Sequence, residues 1–219
     1  VEKYKNNESA PKPNFSNQLD LPELYINRDD NLNPKYVFDT FVVGPFNELA
    51  HRAAQAVVKK LGMVYNPLFI YGGTGLGKTH LIQSVGNYIK KTAPNKKVFY
   101  VTSEQFVIDY VNSVQNNKVN LFKEKYRKYD ILIMDDVQFF SNKDKTQEEL
   151  FHLFNTFKDT GRQLVFSSDR NPNIIPGLED RIRSRFSAGM IVDIPEPDKE
   201  SRAEIVKIKC AVHGISLQD

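Results

Sequence analysis

Three groups of residues in this sequence have the types and spacing to do chemistry. The first is Gly72-Gly73-Thr74-Gly75-Leu76-Gly77-Lys78-Thr79, which fits the pattern G-x-x-x-x-G-K-[ST]. Gly73, Gly75 and Gly77 let the backbone curl until its N–H groups converge on one anion. A helix starting near Lys78 adds the positive end of its dipole. The Lys78 ammonium suits the β- and γ-phosphates of a nucleotide, and the Thr79 hydroxyl suits Mg²⁺. Thr74, Leu76 and His80 fall in the same ligand-facing stretch. The loop predicts a phosphate without saying what the phosphate is for.

The second group is Asp135-Asp136, which closes the apolar run Ile131-Leu132-Ile133-Met134. Adjacent carboxylates at a strand end are unfavourable unless a cation or donor balances them. Asp135 is therefore read as holding Mg²⁺ through water, and Asp136 as polarising the attacking water if hydrolysis occurs. The third group is the arginine cluster in Glu179-Asp180-Arg181-Ile182-Arg183-Ser184-Arg185-Phe186. An arginine at a domain edge can reach the γ-phosphate of a neighbouring subunit. Arg183 is read as part of a solvated charged turn.

The elements that must position these groups follow from the apolar pattern. Short apolar runs at 67–72, 97–103, 130–136, 162–169 and 189–194 predict five buried strands. Helical spacing predicts helices over 44–62 and 78–91, two more within 104–128 that break near Asn116-Asn117, and one that ends at Gly161. The first of these helices is expected to turn Phe46, Leu49, Ala50, Ala53, Val57 and Leu61 inward. Thr146-Gln147-Glu148-Glu149 reads as a capping box opening the helix that ends at Gly161, and a last helix starts near Asp198. Continuous apolar strands separated by helices imply an α/β fold whose parallel sheet is covered on both faces. Ligands of such sheets sit at the carboxyl ends of the strands, where the polar groups fall. Residues 1–32 hold six asparagines and three prolines with no apolar period, and read as a flexible linker with LPELYI at 21–26 as a short sticky element.

Bulk properties narrow the classes. At 219 residues the chain accommodates one α/β domain with some extra. A net charge of +3 is compatible with a nucleic-acid partner without requiring one. The single cysteine, Cys210, rules out an internal disulfide framework and fits a cytoplasmic setting. No apolar run reaches about 18 residues, so no membrane-spanning helix is expected. Asn142-Lys143-Asp144-Lys145 has lysine where a guanine-reading N-K-x-D needs an acid, which argues against a GTPase. The arginines do not cluster in a mobile lid over an acceptor, which argues against a small-metabolite kinase. The basic run at 123–128, KEKYRK, reads as a solvated helix face.

Taken together, YNPLFIYGGTGLGKTHL, ILIMDDVQFFSNKDKTQEELFHLFN and SSDR…GLEDRIRSRF resemble the AAA+ nucleotide-binding domain of the DnaA family of bacterial replication initiators. NPKYVFDTFVVGPFNELAHRAA at 33–54 resembles that family's lead-in segment, and the likeness runs collinearly over roughly 32–210. The resemblance implies a P-loop NTPase of AAA+ type with a five-stranded parallel sheet, a core over 33–197 and only the start of a helical lid over 198–219. It implies ATP or ADP with Mg²⁺ as ligands and a weak ATPase acting as an assembly switch. Asp169 is similar to the first sensor, Arg185 matches the arginine finger acting in trans, and Arg181 matches a second arginine of the subunit interface. The segment 36–43, with Tyr36 and Phe38, should lie by the adenine. Val111, Lys143, Lys145 and Thr146 match the surface that grips single-stranded DNA, although the two lysines read by themselves as a solvated turn and Val111 as core. Duplex origin DNA, a replicative helicase and acidic phospholipids are further partners implied by the family alone. A lid arginine and a duplex-reading domain would lie beyond these residues. The rival is an AAA+ helicase loader; the LEDRIRSRF stretch and the lead-in segment favour the initiator.

Overall fold

The computed structural model describes residues 29–212. LPELYI and the rest of the expected linker up to residue 28 lie outside the described residues.

The five apolar runs form strands Leu68–Gly72 (β1), Val98–Thr102 (β2), Ile131–Asp135 (β3), Gln163–Ser168 (β4) and Met190–Ile194 (β5). They pair in parallel in the order β2-β3-β4-β1-β5. Among the described residues, seven α-helices accompany the sheet: Glu48–Lys59 (α1), Lys78–Thr92 (α2), Ser103–Gln115 (α3), Val119–Arg127 (α4), Asp144–Asp159 (α5), Asp180–Ser187 (α6) and Lys199–Val212 (α7). Alternate strand residues point to opposite faces, so each strand feeds two cores. Leu68, Ile70, Ile133 and Val165 pack under α1 and α2 with Ala54, Leu81 and Val85. Phe69, Leu132, Met134 and Phe166 pack on the other face with Phe106, Phe154 and Phe186. Every residue of β3 and β4 is buried, which is why these runs show no polar alternation.

The strand order decides where the site forms. β4 lies between β1 and β3, so its carboxyl end sits between the phosphate loop after β1 and the carboxylates that end β3. This is the crevice in which doubly wound sheets bind ligands.

Three sequence expectations change in detail. The first helix begins at Glu48 because Asn47 ties residues 42–47 into a turn, accepting from Gly44 N at 2.9 Å and donating to Val42 O at 2.9 Å. Leu49 is consequently 57% exposed, and Ala50, Ala53, Ala54 and Val57 form the buried stripe. The capping box does not form. Gln147 donates to Phe140 O and Gly177 O at 3.0 and 2.9 Å and holds the α5 start at Asp144, which leaves Thr146 buried in the first turn. The basic run at 123–128 keeps a solvated face, with Glu124, Lys125 and Lys128 exposed, but it is also anchored: Tyr126 is buried, Lys123 pairs with Glu149 at 3.2 Å, and Lys125 pairs with Asp109 at 2.5 Å. The expected break near Asn116-Asn117 is present, with Asn117 in the left-handed region at φ 54°.

The end of the expected linker is also structured. Asp30 O accepts from Tyr100 N at 2.8 Å, Asn31 donates to Tyr100 O at 3.2 Å, and Asp30 pairs with Lys90. These contacts cover the outer edge of β2. Leu32 is 1% exposed and lies in the core beneath α2. Leu32→Ala should therefore destabilise the fold by about 2–5 kcal/mol in denaturant unfolding. A linker residue would move the midpoint hardly at all.

Candidate functional site

The phosphate loop opens from the end of β1 and closes at Gly77, the residue before α2. Gly75 and Gly77 have φ of 83° and 84°, a region where a side chain is strained, and a Cβ on Gly77 would meet Phe41 at 3.2 Å. Lys78 is buried, and its ammonium donates to Gly73 O at 2.8 Å, so the charge is held at the mouth of the loop. Thr79 follows in the first turn of α2 and donates its hydroxyl to Asp135 Oδ2 at 2.7 Å. One contact thus joins the first two chemical groups of the sequence, although 56 residues separate them.

Asp135 is 2% exposed. Tyr100 donates its phenol to Oδ2 at 2.9 Å, Ser167 donates its hydroxyl to Oδ1, and Asp136 N–H donates to Oδ1 at 3.1 Å. Burial, followed by the Asp135 charge, pushes the Tyr100 phenol far above its ordinary range, so it remains a donor at neutral pH. A hydroxyl beside an anchored carboxylate is a donor set that fits Mg²⁺, which takes few protein ligands and shares the rest with phosphates and water.

Asp136 sits at φ 57°, which turns the chain sharply away from β3. Gln138 bridges it to the next strand: its amide N–H donates to Asp136 Oδ1 at 3.1 Å, and its carbonyl accepts from Asp169 N at 3.2 Å. Asp169 faces Arg170 in a two-point ion pair at 2.8 and 2.6 Å. The Arg170 hydrogen bonds, and after them the Arg170 and Lys78 charges, hold the Asp169 carboxyl below its usual range. Tyr100, Ser167 and Gln138 are the residues that sequence reasoning missed. Each lies in or just after a strand that had been identified, but its target comes from another strand, which spacing along one chain does not reveal.

The lead-in segment splits. Tyr36 stacks on His80 with ring centroids 4.9 Å apart, and Phe41 packs edge-on against the same ring at 5.3 Å. Val37 O lies 3.0 Å from His80 Nε2. Phe41, Phe46, Leu76, Gly77, Ile205 and Lys209 line a cavity of about 150 Å³ beside the loop. Phe38 is placed elsewhere, in a separate cavity of about 410 Å³ with Tyr88 and Val58. The surface next to the loop is therefore made by residues 41–47 and by α7.

Arg181 and Arg185 both lie over the Phe151 ring of α5, each 5.2 Å from its centroid. Arg181 also pairs with Glu179, while Arg185 Nε is buried without a hydrogen-bond partner among the described residues. Neither is hydrogen-bonded to Thr79, Asp135 or Asp169. Arg183 differs from the solvated residue expected: it pairs with Asp180 at 2.6 Å and its Nε is buried. Of the four expected DNA contacts, Val111 is 44% exposed on α3, and Lys143 and Lys145 are exposed at the start of α5. Val111 is thus on the surface and not in the core. Thr146 is 4% exposed, so its side chain is withheld from any surface contact.

Comparison with known proteins adds the family. Residues 32–193 match the bacterial DnaA ATPase domain. Domain III of the replication initiation protein DnaA from Thermotoga maritima is 49% identical, with a TM-score of 0.83 over 86% of this chain and 78% of that one. The replication initiator DnaA solved with AMPPCP and single-stranded DNA is 40% identical, with a TM-score of 0.82 over 87% of this chain. This chain spans 59% of the length of that protein. The DnaC helicase loader, at 13% identity and a TM-score of 0.65 over 73% of this chain and 97% of that one, shares the fold alone. No helix among the described residues is long and apolar enough to cross a membrane.

Burial lowers the pKa of both His80 and His51 below the ordinary imidazole value, with Arg52 adding to the effect at His51 and Lys209 adding to it at His80. The folded chain then binds fewer protons than the unfolded chain. Stability should be fully present above about pH 6.5 and fall as pH drops below it. Thermal melts at pH 7.5 and 5.5 test this, and His80→Gln should flatten the slope between them.

Proposed function

Because the chain belongs to the bacterial DnaA ATPase domain family, we propose that it is the nucleotide-driven switch of a chromosomal replication initiator. The observation that carries this reading is the 40% identity, across 87% of the chain, to an initiator that binds AMPPCP and single-stranded DNA. ATP or ADP lies with its phosphates in the loop from Gly73 to Thr79, and its base beside Phe41, Phe46 and Ile205. When bound, Mg²⁺ neutralises charge on the phosphates; Thr79 offers it an oxygen lone pair, and Asp135 fixes that hydroxyl from behind. Lys78 exchanges its contact with Gly73 O for phosphate oxygens. Asp136, steadied by Gln138, orients the water, and Asp169 reports on the γ-phosphate position through the same glutamine.

Arg185 completes the site of the next copy. Its guanidinium rests on Phe151, which restricts it while leaving its terminal N–H groups to take an acceptor. A γ-phosphate of a neighbouring copy supplies one. Assembly then depends on ATP, and hydrolysis ends it. Single-stranded DNA tracks Val111, Lys143 and Lys145 in the assembled form, with origin opening as the outcome. The enzymatic step is a slow ATPase that serves as a timer. Duplex origin contacts, helicase recruitment and association with acidic phospholipid belong to the reading of the whole protein.

The helicase-loader alternative has the same core but rests on fold alone. Arg185→Ala separates the switch from a monomeric enzyme. ATP affinity should stay within about tenfold of the parent, under about 1.4 kcal/mol, while ATP-dependent assembly in light scattering disappears. Loss of ATP binding by the isolated Arg185→Ala monomer would sink the in-trans role. Lys78→Ala should abolish both.

A further inference from the structure

Asp135 is surrounded more completely than a metal-facing carboxylate has to be. Oδ2 accepts from Thr79 Oγ1 at 2.7 Å and from Tyr100 at 2.9 Å. Oδ1 accepts from the Ser167 hydroxyl and from Asp136 N at 3.1 Å. An ionised carboxylate offers about four lone-pair positions, and here four donors address them. The donors come from α2, β2, β4 and the chain just past β3, so rotation of the carboxylate in either direction breaks contacts to two flanking strands at once.

The register explains why these two hydroxyls reach it. Tyr100 is paired with Ile133, which shares a sheet face with Asp135 two residues on, so the phenol runs along that face beneath the carboxylate. On the other side Phe166 is paired with Met134, which brings Ser167 level with Asp135. Ser167 is fully buried and Tyr100 is mostly so. Ser167 Oγ also accepts from Asp136 N at 3.1 Å, which fixes the hydroxyl hydrogen toward Asp135.

We propose that Tyr100 and Ser167 are positioning residues for the metal half of the site. They hold the Asp135 carboxylate in the rotation that accepts the Thr79 hydroxyl hydrogen, and this turns the lone pairs of Thr79 toward the cation. The inference rests on the reading that Thr79 and Asp135 serve Mg²⁺. Both hydroxyls donate to Asp135. Their contribution is therefore to metal affinity and not to nucleotide affinity without metal.

The test is a Mg²⁺ titration of binding of a fluorescent ATP analogue, run beside the same binding in EDTA. Tyr100→Phe removes only the phenolic oxygen. It should raise the Mg²⁺ concentration at half-maximal binding by roughly 10-fold or more, as loss of a partner to a metal ligand commonly does, and leave binding in EDTA unchanged. Ser167→Ala should act in the same direction, and Ser167→Thr should restore the parental midpoint. An unmoved Mg²⁺ midpoint in folded Tyr100→Phe and Ser167→Ala overturns the proposal, as does an equal loss of binding in EDTA, which marks a purely structural role. Asp135→Asn in the same assay separates the two readings. If it leaves the midpoint unmoved, the metal assignment fails. If it shifts the midpoint and the hydroxyl variants do not, only the positioning role fails. Should melting show Tyr100→Phe to be unfolded, the Ser167 pair decides alone.

Discussion

A carboxylate withdrawn from water needs donors around it, and the ends of several elements in this molecule are arranged to supply them to Asp135. The requirement acts on the whole sheet. β2 and β4 must flank β3, α2 must begin where Thr79 can reach across, and the chain must turn at Asp136 to offer its N–H. Parallel pairing satisfies all of these together, because it brings every strand's carboxyl end to one edge. The helices on both faces then follow from strands that have no polar side to show to water.

The sequence made a large part of this legible, for identifiable reasons. The strands announced themselves as unbroken apolar runs, and the phosphate loop as a glycine pattern set between strand and helix. Local signals that compete with long-range contacts were less secure. Thr146 and Glu149 satisfy the spacing of a capping box, yet Gln147 reaches Phe140 O and Gly177 O and fixes the helix start three residues earlier. Leu49 fits the apolar period of α1, but the turn built on Asn47 sets a phase that leaves it outside. Asp30 and Leu32 sit in a polar, asparagine-rich stretch whose composition hides their packing. In the site itself, the groups that carry charge were readable and the groups that aim them were not. Tyr100, Ser167 and Gln138 have unremarkable sequence neighbours, and their roles exist only after strands meet.

The phosphate-loop site and the arginine cluster of the proposed shared site differ in how finished they are. Thr79, Asp135 and Asp136 lie in a closed network of donors and acceptors. Arg181 and Arg185 share one aromatic surface, Phe151, and leave hydrogen-bonding capacity unused at Arg185 Nε. An aromatic face restricts a guanidinium without satisfying its N–H groups. Such an arginine loses little freedom when its terminal N–H groups meet an anion.

The short stretch at Asp30 and Asn31 has a further meaning. It occupies both the N–H and the carbonyl of Tyr100 on the outer rim of β2, where a bare strand would be a template for another chain. Copies of this chain that approach that rim meet a backbone already engaged. Growth by strand addition there would first have to strip away Asp30, its Lys90 partner and the buried Leu32. In the assembly proposed above, contact between copies would then fall to side-chain surfaces. A polymer joined through side chains would be able to come apart again, whereas one stitched through backbone ladders tends to persist.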